Sequence, residues 1–266
     1  MRRLRRLIQK RSLRWSEGVC VIEGPDLVEA ALDAGVEFEA LYVDVEALGR
    51  ERISALCARG EGRGVRIFSL LAGVLDKVAD AQTAQPVLAV VRLPLVPLEQ
   101  LTSDGLVLVL HDVRDPGNAG TIIRSSDAAG VSSVVFTGQS VDPFNPKTLR
   151  ATAGSIFHIP VAVATLDATL EHFSSPEVQT IATVVRGGDS IRELDLTRPS
   201  VVVIGNESEG LDDEVIARCA LTASIPMAGR SESLNAGVAA SLLAFEALWQ
   251  RQDKNLASPR PSLKTL

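Results

Sequence analysis

The chain has 266 residues, 46% hydrophobic and 23% charged, which is enough apolar content for one or two packed domains and too much for a disordered chain. With 27 basic and 33 acidic residues the formal net charge is −6. The longest aliphatic run, residues 105–110, falls far short of the ~20 residues that span a bilayer, so a transmembrane helix is excluded. Cys20, Cys57 and Cys219 lie too far apart for a CxxC site or a disulfide framework, and they read as reduced core thiols.

The N-terminus, MRRLRRLIQKR, is basic but lacks the ~7–15-residue apolar stretch of a secretory signal, so the expected location is the cytoplasm. Arg2, Arg3, Arg5, Arg6, Lys10, Arg11 and Arg14 fall in the first fifteen residues with no acid among them, leaving 20 basic against 33 acidic residues, net −13, for the remainder. Next to Trp15, they form a candidate arm or helix for nucleic-acid phosphates; a frayed solubilising tail accounts for the same charges. Beyond them, strands are expected around residues 19–22, 40–43, 65–68 and 87–91, with helices over 27–34 and 45–59. Pro94 and Pro97 then punctuate the chain. The organisation predicted is a small α/β domain over 1–94 with its basic arm, a linker over 95–103, a second domain over 104–251, and a disordered polar tail over 252–266.

In the second domain the pattern alternates: strands at 106–111, 133–137, 159–163, 179–184, 200–204 and 222–225, and helices at 119–129, 146–153, 167–173, 211–219 and 234–250. Strands separated by helical stretches predict a mainly parallel sheet covered on both faces, with ligands at the carboxyl ends of its strands.

Three polar segments follow strands in this domain. In HDVRDPGNAGTIIRSSDAAG, Asn118 opens a helix and Arg124 follows six residues later. An ordinary helix cap and a surface arginine paired with Asp127 would look the same. In VVVIGNESEGLDDEVIARC, Gly205 ends a strand and Glu207 and Glu209 make the loop acidic, which suits a positively charged ligand better than a phosphate. In ASIPMAGRSESLNAGVAASLLAFEALW, a strand stops at Pro226 and a loop leads through Ser233, Leu234 and Asn235 into the last helix, whose Leu242, Leu243, Phe245, Leu248 and Trp249 read as core-facing. There is no GxGxxG after the first strand, and His111, His158 and His172 sit in no metal-binding pattern, so a Rossmann dinucleotide site and a metal site are both disfavoured.

Together the three segments resemble the three motifs of the SpoU (TrmH) branch of the SPOUT RNA methyltransferases. The likeness lies in the Asn118-to-Arg124 spacing, in IGNESEGL and in IPMAGRSESLNAGVA, in the family's order. The intervening DPFNPKTLRATAGSIFHIP is similar too, and VCVIEGPDLVEAAL with ADAQTAQPVLAVV resembles the family's ribosomal-protein-like substrate-binding domain. One departure is Ala236-Gly237, where many members carry Val-Ser.

The resemblance implies a C-terminal parallel-sheet SPOUT domain with a deep trefoil knot, preceded by a small α/β RNA-binding domain, in a homodimer whose active sites are completed across the interface. It implies transfer of a methyl group from S-adenosyl-L-methionine to a ribose 2′-hydroxyl, with ribosomal RNA favoured and no metal. By position, Gly205, Ile225 and Leu234 line the cofactor site, with Thr137, Met227 and Ala228 as neighbours. Arg124, Asn118, Glu207, Ser233 and Asn235 carry the chemistry. Lys147 and Arg150 join the basic arm as RNA-binding candidates. A tRNA methyltransferase and a non-catalytic RNA-binding paralogue remain open alternatives.

Overall fold

A computed structural model describes residues 1–78 and 85–257. Residues 79–84, part of the ADAQTAQ stretch, and 258–266 of the tail lie outside the described residues. The first part contains helices α1 (Arg2–Gln9), α2 (Arg11–Glu17), α3 (Pro25–Asp33) and α4 (Glu51–Glu61), and strands β1 (Val19–Glu23), β2 (Phe38–Asp44), β3 (Arg66–Leu70) and β4 (Val87–Arg92). The strands form one sheet in the order β1-β4-β2-β3, with β4 antiparallel to both neighbours and β3 parallel to β2. Alternation along each strand gives the sheet two apolar faces. Cys20, Ile22, Leu41, Val43, Ala89 and Val91 pack against α3 and α4. Val19, Val21, Leu88 and Val90 pack against Leu4, Leu7 and Ile8 of α1.

The spacing of those three α1 residues makes a single apolar stripe, so the basic segment is a docked amphipathic helix rather than a free arm. Arg14 departs furthest from its expected role. It is 3% exposed, donates to the Leu7 and Ile8 carbonyls (2.7 and 2.9 Å), and pairs with the equally buried Asp142 through Nε and Nη2 (2.9 and 2.5 Å). It is therefore closed to RNA. A guanidinium at this depth needs a carboxylate and carbonyls around it, and Asp142 and the end of α1 supply both. The Trp15 indole also donates to Asp142 (3.3 Å) and meets Phe144 edge-on.

The second part holds β5 (Leu106–His111), α5 (Pro116–Ala128), β6 (Ser133–Thr137), α6 (Pro146–Thr152), β7 (Val161–Val163), α7 (Leu166–His172), β8 (Gln179–Thr183), β9 (Asp189–Ser190), β10 (Ser200–Ile204), α8 (Asp213–Ala217), β11 (Leu221–Ser224) and α9 (Ala236–Ala257). Its seven strands run parallel in the order β7-β6-β5-β10-β8-β11-β9. β10 is thus inserted between β5 and β8. After β11 the chain crosses back so that α9 lies against α5, where Ser241 Oγ bonds Ser125 Oγ (2.7 Å). Gly120 permits the close approach of α5 to α6, since a Cβ there would stand 2.8 Å from the Thr148 carbonyl oxygen.

The last helix runs past residue 252, where the tail was expected to start. α9 continues to Ala257 because its polar last turns are tied to the 191–198 segment: Gln250 bonds Leu196 N and Ile191 O, Arg251 bonds Leu196 O, and Lys254 bonds Thr197 Oγ1. Between the sheets, Leu95 pairs with Val161 and Leu101 is buried, so this connection is pinned to the second sheet. Arg150, expected to be available to RNA, pairs with Glu23 at the end of β1 (3.3 Å). No helix among the described residues is long and apolar enough to cross a membrane.

Candidate active site

The carboxyl ends of β5 and β10 lie side by side, and both lead into tight polar loops. After β10, reciprocal Asn206–Gly210 backbone bonds (3.0 Å each) close the loop, and Asn206 Oδ1 accepts from Ser208 and Glu209 N–H. Gly205 has no room for a side chain: a Cβ would stand 2.6 Å from both Gly210 O and Leu211 N. Asn206 Nδ2 reaches across to the Asp112 carbonyl (2.9 Å) and joins the two loops.

Within this frame Glu207 accepts from Arg114 N–H (3.3 Å), Asp115 N–H (3.1 Å) and Asn118 Nδ2 (3.0 Å). Burial works against its charge, but these donors outweigh it and hold the carboxyl below its ordinary range. Asp115 caps α5 by accepting from Asn118 N–H (2.8 Å), so Asn118 is not the cap itself. Its side chain is free to accept from Asn235 Nδ2 (2.7 Å), while Asn235 Oδ1 caps α9 through Val238 N–H (3.2 Å). Glu207, Asn118 and Asn235, one from each predicted segment, thus form a continuous chain of hydrogen bonds. The loop bearing Arg114 and Asp115 is itself braced, because Val113 N–H donates to Ser140 Oγ (3.1 Å) and Val113 O accepts from Val141 N–H (2.9 Å).

Below Glu207 opens a cavity of about 310 Å³. Ile204, Leu211, Ile216, Ile225, Leu234 and Leu243 make it apolar, Gly205 and Gly210 present backbone, and Glu207 and Glu209 stand at its polar side with Ser233. These residues fit S-adenosylmethionine: apolar walls suit an adenine ring, exposed backbone suits its edge, and the acids suit the sulfonium and amino charges. A second cleft, of about 570 Å³, shares Glu207 and is bordered by Arg114, Asp115, Pro116 and Asn118.

Gly205, Ile225, Met227, Leu234, Glu207 and Ser233 therefore border the first cavity and Asn118 the second, with Asn235 bonded behind it. Thr137 and Ala228 line neither. The Thr137 hydroxyl turns to His111 Nδ1 (2.9 Å). Arg124 is exposed on α5 and lines neither space, and its side chain makes no hydrogen bond or ion pair among the described residues. Asp127, its partner in the alternative surface-arginine reading, meets His158 instead (3.0 Å). Lys147 is exposed, and its side chain has no partner among the described residues. No sequence pattern marks the far wall, formed by Thr183, Val184, Val185, Arg186 and Ile191, because apolar and backbone contacts carry no motif. Arg114 also escapes sequence reasoning, although its position four residues before Asn118 at a strand end is a usable signal. No group of three or more His, Cys, Asp or Glu among the described residues is placed to hold a metal.

An apolar slot beneath an acidic rim, at the carboxyl edge of a parallel sheet, is the class of site in which α/β proteins bind adenosine-bearing cofactors. Residues 105–245 match the SpoU rRNA Methylase family, and residues 1–89 match the MRM3-like substrate binding domain. The 23S rRNA (guanosine(2553)-2'-O)-methyltransferase RlmP of Bacillus subtilis is 33% identical over 226 residues, covering 85% of this chain and 86% of its own. The 23S rRNA (uridine(2479)-2'-O)-methyltransferase of Streptomyces viridochromogenes is 31% identical over 256 residues, covering 92% and 88%. The crystal structure of an AdoMet-bound rRNA methyltransferase from Sinorhizobium meliloti superposes with a TM-score of 0.83 at 32% identity and covers 92% of each chain. The chain belongs to the SpoU rRNA methylase family, a family of RNA methyltransferases that use S-adenosylmethionine.

Proposed function

We propose that this protein methylates a ribose 2′-hydroxyl in ribosomal RNA in the cytoplasm, as a homodimer and without a metal. The observation that carries the reading is the Glu207–Asn118–Asn235 network standing between the apolar cavity and the second cleft. Gly205, Ile225, Met227 and Leu234 would hold S-adenosylmethionine, which supplies a methyl group already activated by its sulfonium charge. The protein's own task is to fix the ribose in line and to manage one proton. Asn118, its amide held at both ends, presents a rigid wall against which the ribose is set, and Ser233 closes the cofactor side.

Arg124 is a poor base, because a guanidinium has a pKa above ~12. Its role is to grip the adjoining phosphate and to stabilise charge developing on the 2′-oxygen. It lies outside both spaces of its own protomer, which supports an active site completed by the partner. On α9, next to Arg124's helix, Val238, Leu242, Phe245 and Trp249 recur at helical spacing; Trp249 is 52% exposed, and Leu242 and Val238 are exposed as well. That stripe is the proposed dimer face. The return of the chain from β11 to α9, past the loop after β10, is the proposed place of the family's knot.

RNA would be held by the first domain, residues 1–94. Arg2, Arg6 and Lys10 are exposed with no side-chain partner among the described residues, and Arg11 lies over the Trp15 ring (5.7 Å). Arg3 and Arg5 contribute less, since Arg3 is paired with Glu17 and Glu39 and Arg5 bonds the Lys77 carbonyl.

The test is transfer of labelled methyl from S-adenosylmethionine to deproteinised ribosomal RNA from cells lacking the gene, read by nuclease digestion and mass spectrometry. Wild-type protein is expected to yield a 2′-O-methylated nucleotide. Arg124→Ala is expected to lose about 10²–10³-fold in rate with cofactor affinity unchanged. Full activity in that variant would overturn the assignment.

A further inference from the structure

We propose that the open half of the four-stranded sheet is a stacking site for an unpaired RNA base. α1 covers β1 and β4 on this face, and Leu75 and Val78 close the core beneath it. Towards the β3 edge no helix among the described residues lies over this face of the sheet. There Tyr42 and Phe68, paired in register across β2 and β3, stack offset with ring centroids 5.2 Å apart and an interplanar angle of 17°. Phe68 is 42% exposed on an edge strand, where apolar side chains invite unwanted pairing and polar ones are the usual remedy. The side chain of Arg66, two residues before Phe68 and so on the same face, makes no hydrogen bond or ion pair among the described residues, although its charge acts on Glu39. It acts electrostatically on Tyr42.

A flat aromatic pair presenting one ring to solvent beside an exposed guanidinium that makes no ion pair among the described residues matches the chemistry of a single-stranded nucleobase and its phosphate. The ring takes the π-face, and the cation takes the backbone. The site lies within the part of the chain that matches a substrate-binding domain. It is built on a different sheet from the methyl-transfer network, so it would select the RNA without touching the reacting atoms. The inference rests on the proposed function, and its test separates the two.

Protein-free ribosomal RNA transcribed with 5-iodouridine in place of uridine is irradiated with the wild-type protein, and the cross-linked peptides are identified. Cross-links at Phe68 or Tyr42 are expected. Phe68→Ala is expected to raise the KM for RNA about tenfold, with kcat at saturating RNA and cofactor affinity unchanged. Phe68→Trp should restore the KM, and Phe68→Leu should not. Methyl transfer with cross-links only elsewhere, an unchanged KM in Phe68→Ala, or full rescue by Phe68→Leu would each overturn the stacking site and leave the methyltransferase standing. Absence of both RNA binding and transfer by the wild-type protein would overturn both.

Discussion

Around the four-stranded sheet the ion pairs stand in solvent: Arg52 meets Asp26 and Glu29, Arg59 meets Glu29 and Asp33, and Arg92 meets Glu37, all of them exposed. At the carboxyl edge of the seven-stranded sheet the polar groups interlock instead. Glu207, Asn118 and Asn235 share bonds, and the cation on the same helix, Arg124, is left unpaired among the described residues. Exposed pairs each contribute about 0–1 kcal/mol, because water screens them even where two cations share Glu29. A connected network loses more than one bond when one member is removed. The first arrangement leaves a surface adaptable, and the second fixes one geometry and keeps a charge in reserve for a ligand.

The sharpest way to break this contrast is at its exception. Arg14→Ala leaves Asp142 buried without its cation and is expected to cost about 3–5 kcal/mol, read as a fall in the urea midpoint. Joint replacement by Arg14→Met and Asp142→Leu should recover most of that loss; a single variant as stable as wild type would place Arg14 among the independent surface cations. At the other sheet, Gly205→Ala forces a methyl group against the Gly210 and Leu211 backbone. A loss of about 1–3 kcal/mol is expected, with weakened S-adenosylmethionine binding by calorimetry. Smallest in stability is the joint replacement of Arg2, Arg6, Lys10 and Arg11 by Gln. It should leave Tm nearly unchanged and flatten the slope of log K for RNA against log salt by about 0.7 for each phosphate that is no longer neutralised. An unchanged slope would remove α1 and α2 from the RNA interface.

Strands buried on both faces were the most legible part of the fold. β5, β6 and β10 coincide with their expected bounds because each is a short apolar run flanked by turn residues. β9, two residues long, has no pattern to detect. The end of α9 was hidden because its polar last turns are held by partners more than fifty positions away. The same distance problem decided the sites. Glu207, Asn118 and Asn235 could be grouped because each lies in a polar segment that follows a strand of a parallel sheet and resembles one of the family's three motifs. The fate of Arg14 depended on Asp142, 128 positions on, and no local spacing announces such a pair. Trp249 and Leu242, which read as core residues, face outward because α9 buries its Leu243, Ala244 and Ala247 side instead.

Asp142 adjoins Val141, whose N–H holds Val113, and the next two residues supply the N–H groups that hold Glu207. Arg14 grips the other end of this strut. The helix pair that carries the free cations and the wall beside the methyl-transfer site are therefore joined by short links, buried at the Arg14 end and exposed at Glu207, like the fixed jaws of a calliper. With RNA held there as proposed, such a tool would measure: it would accept an RNA in which the target ribose lies at one set span from the gripped backbone, and would reject the same nucleotide presented nearer or farther. Selectivity of this kind needs no reading of the target base, and it would survive any change of sequence that preserves the RNA's shape.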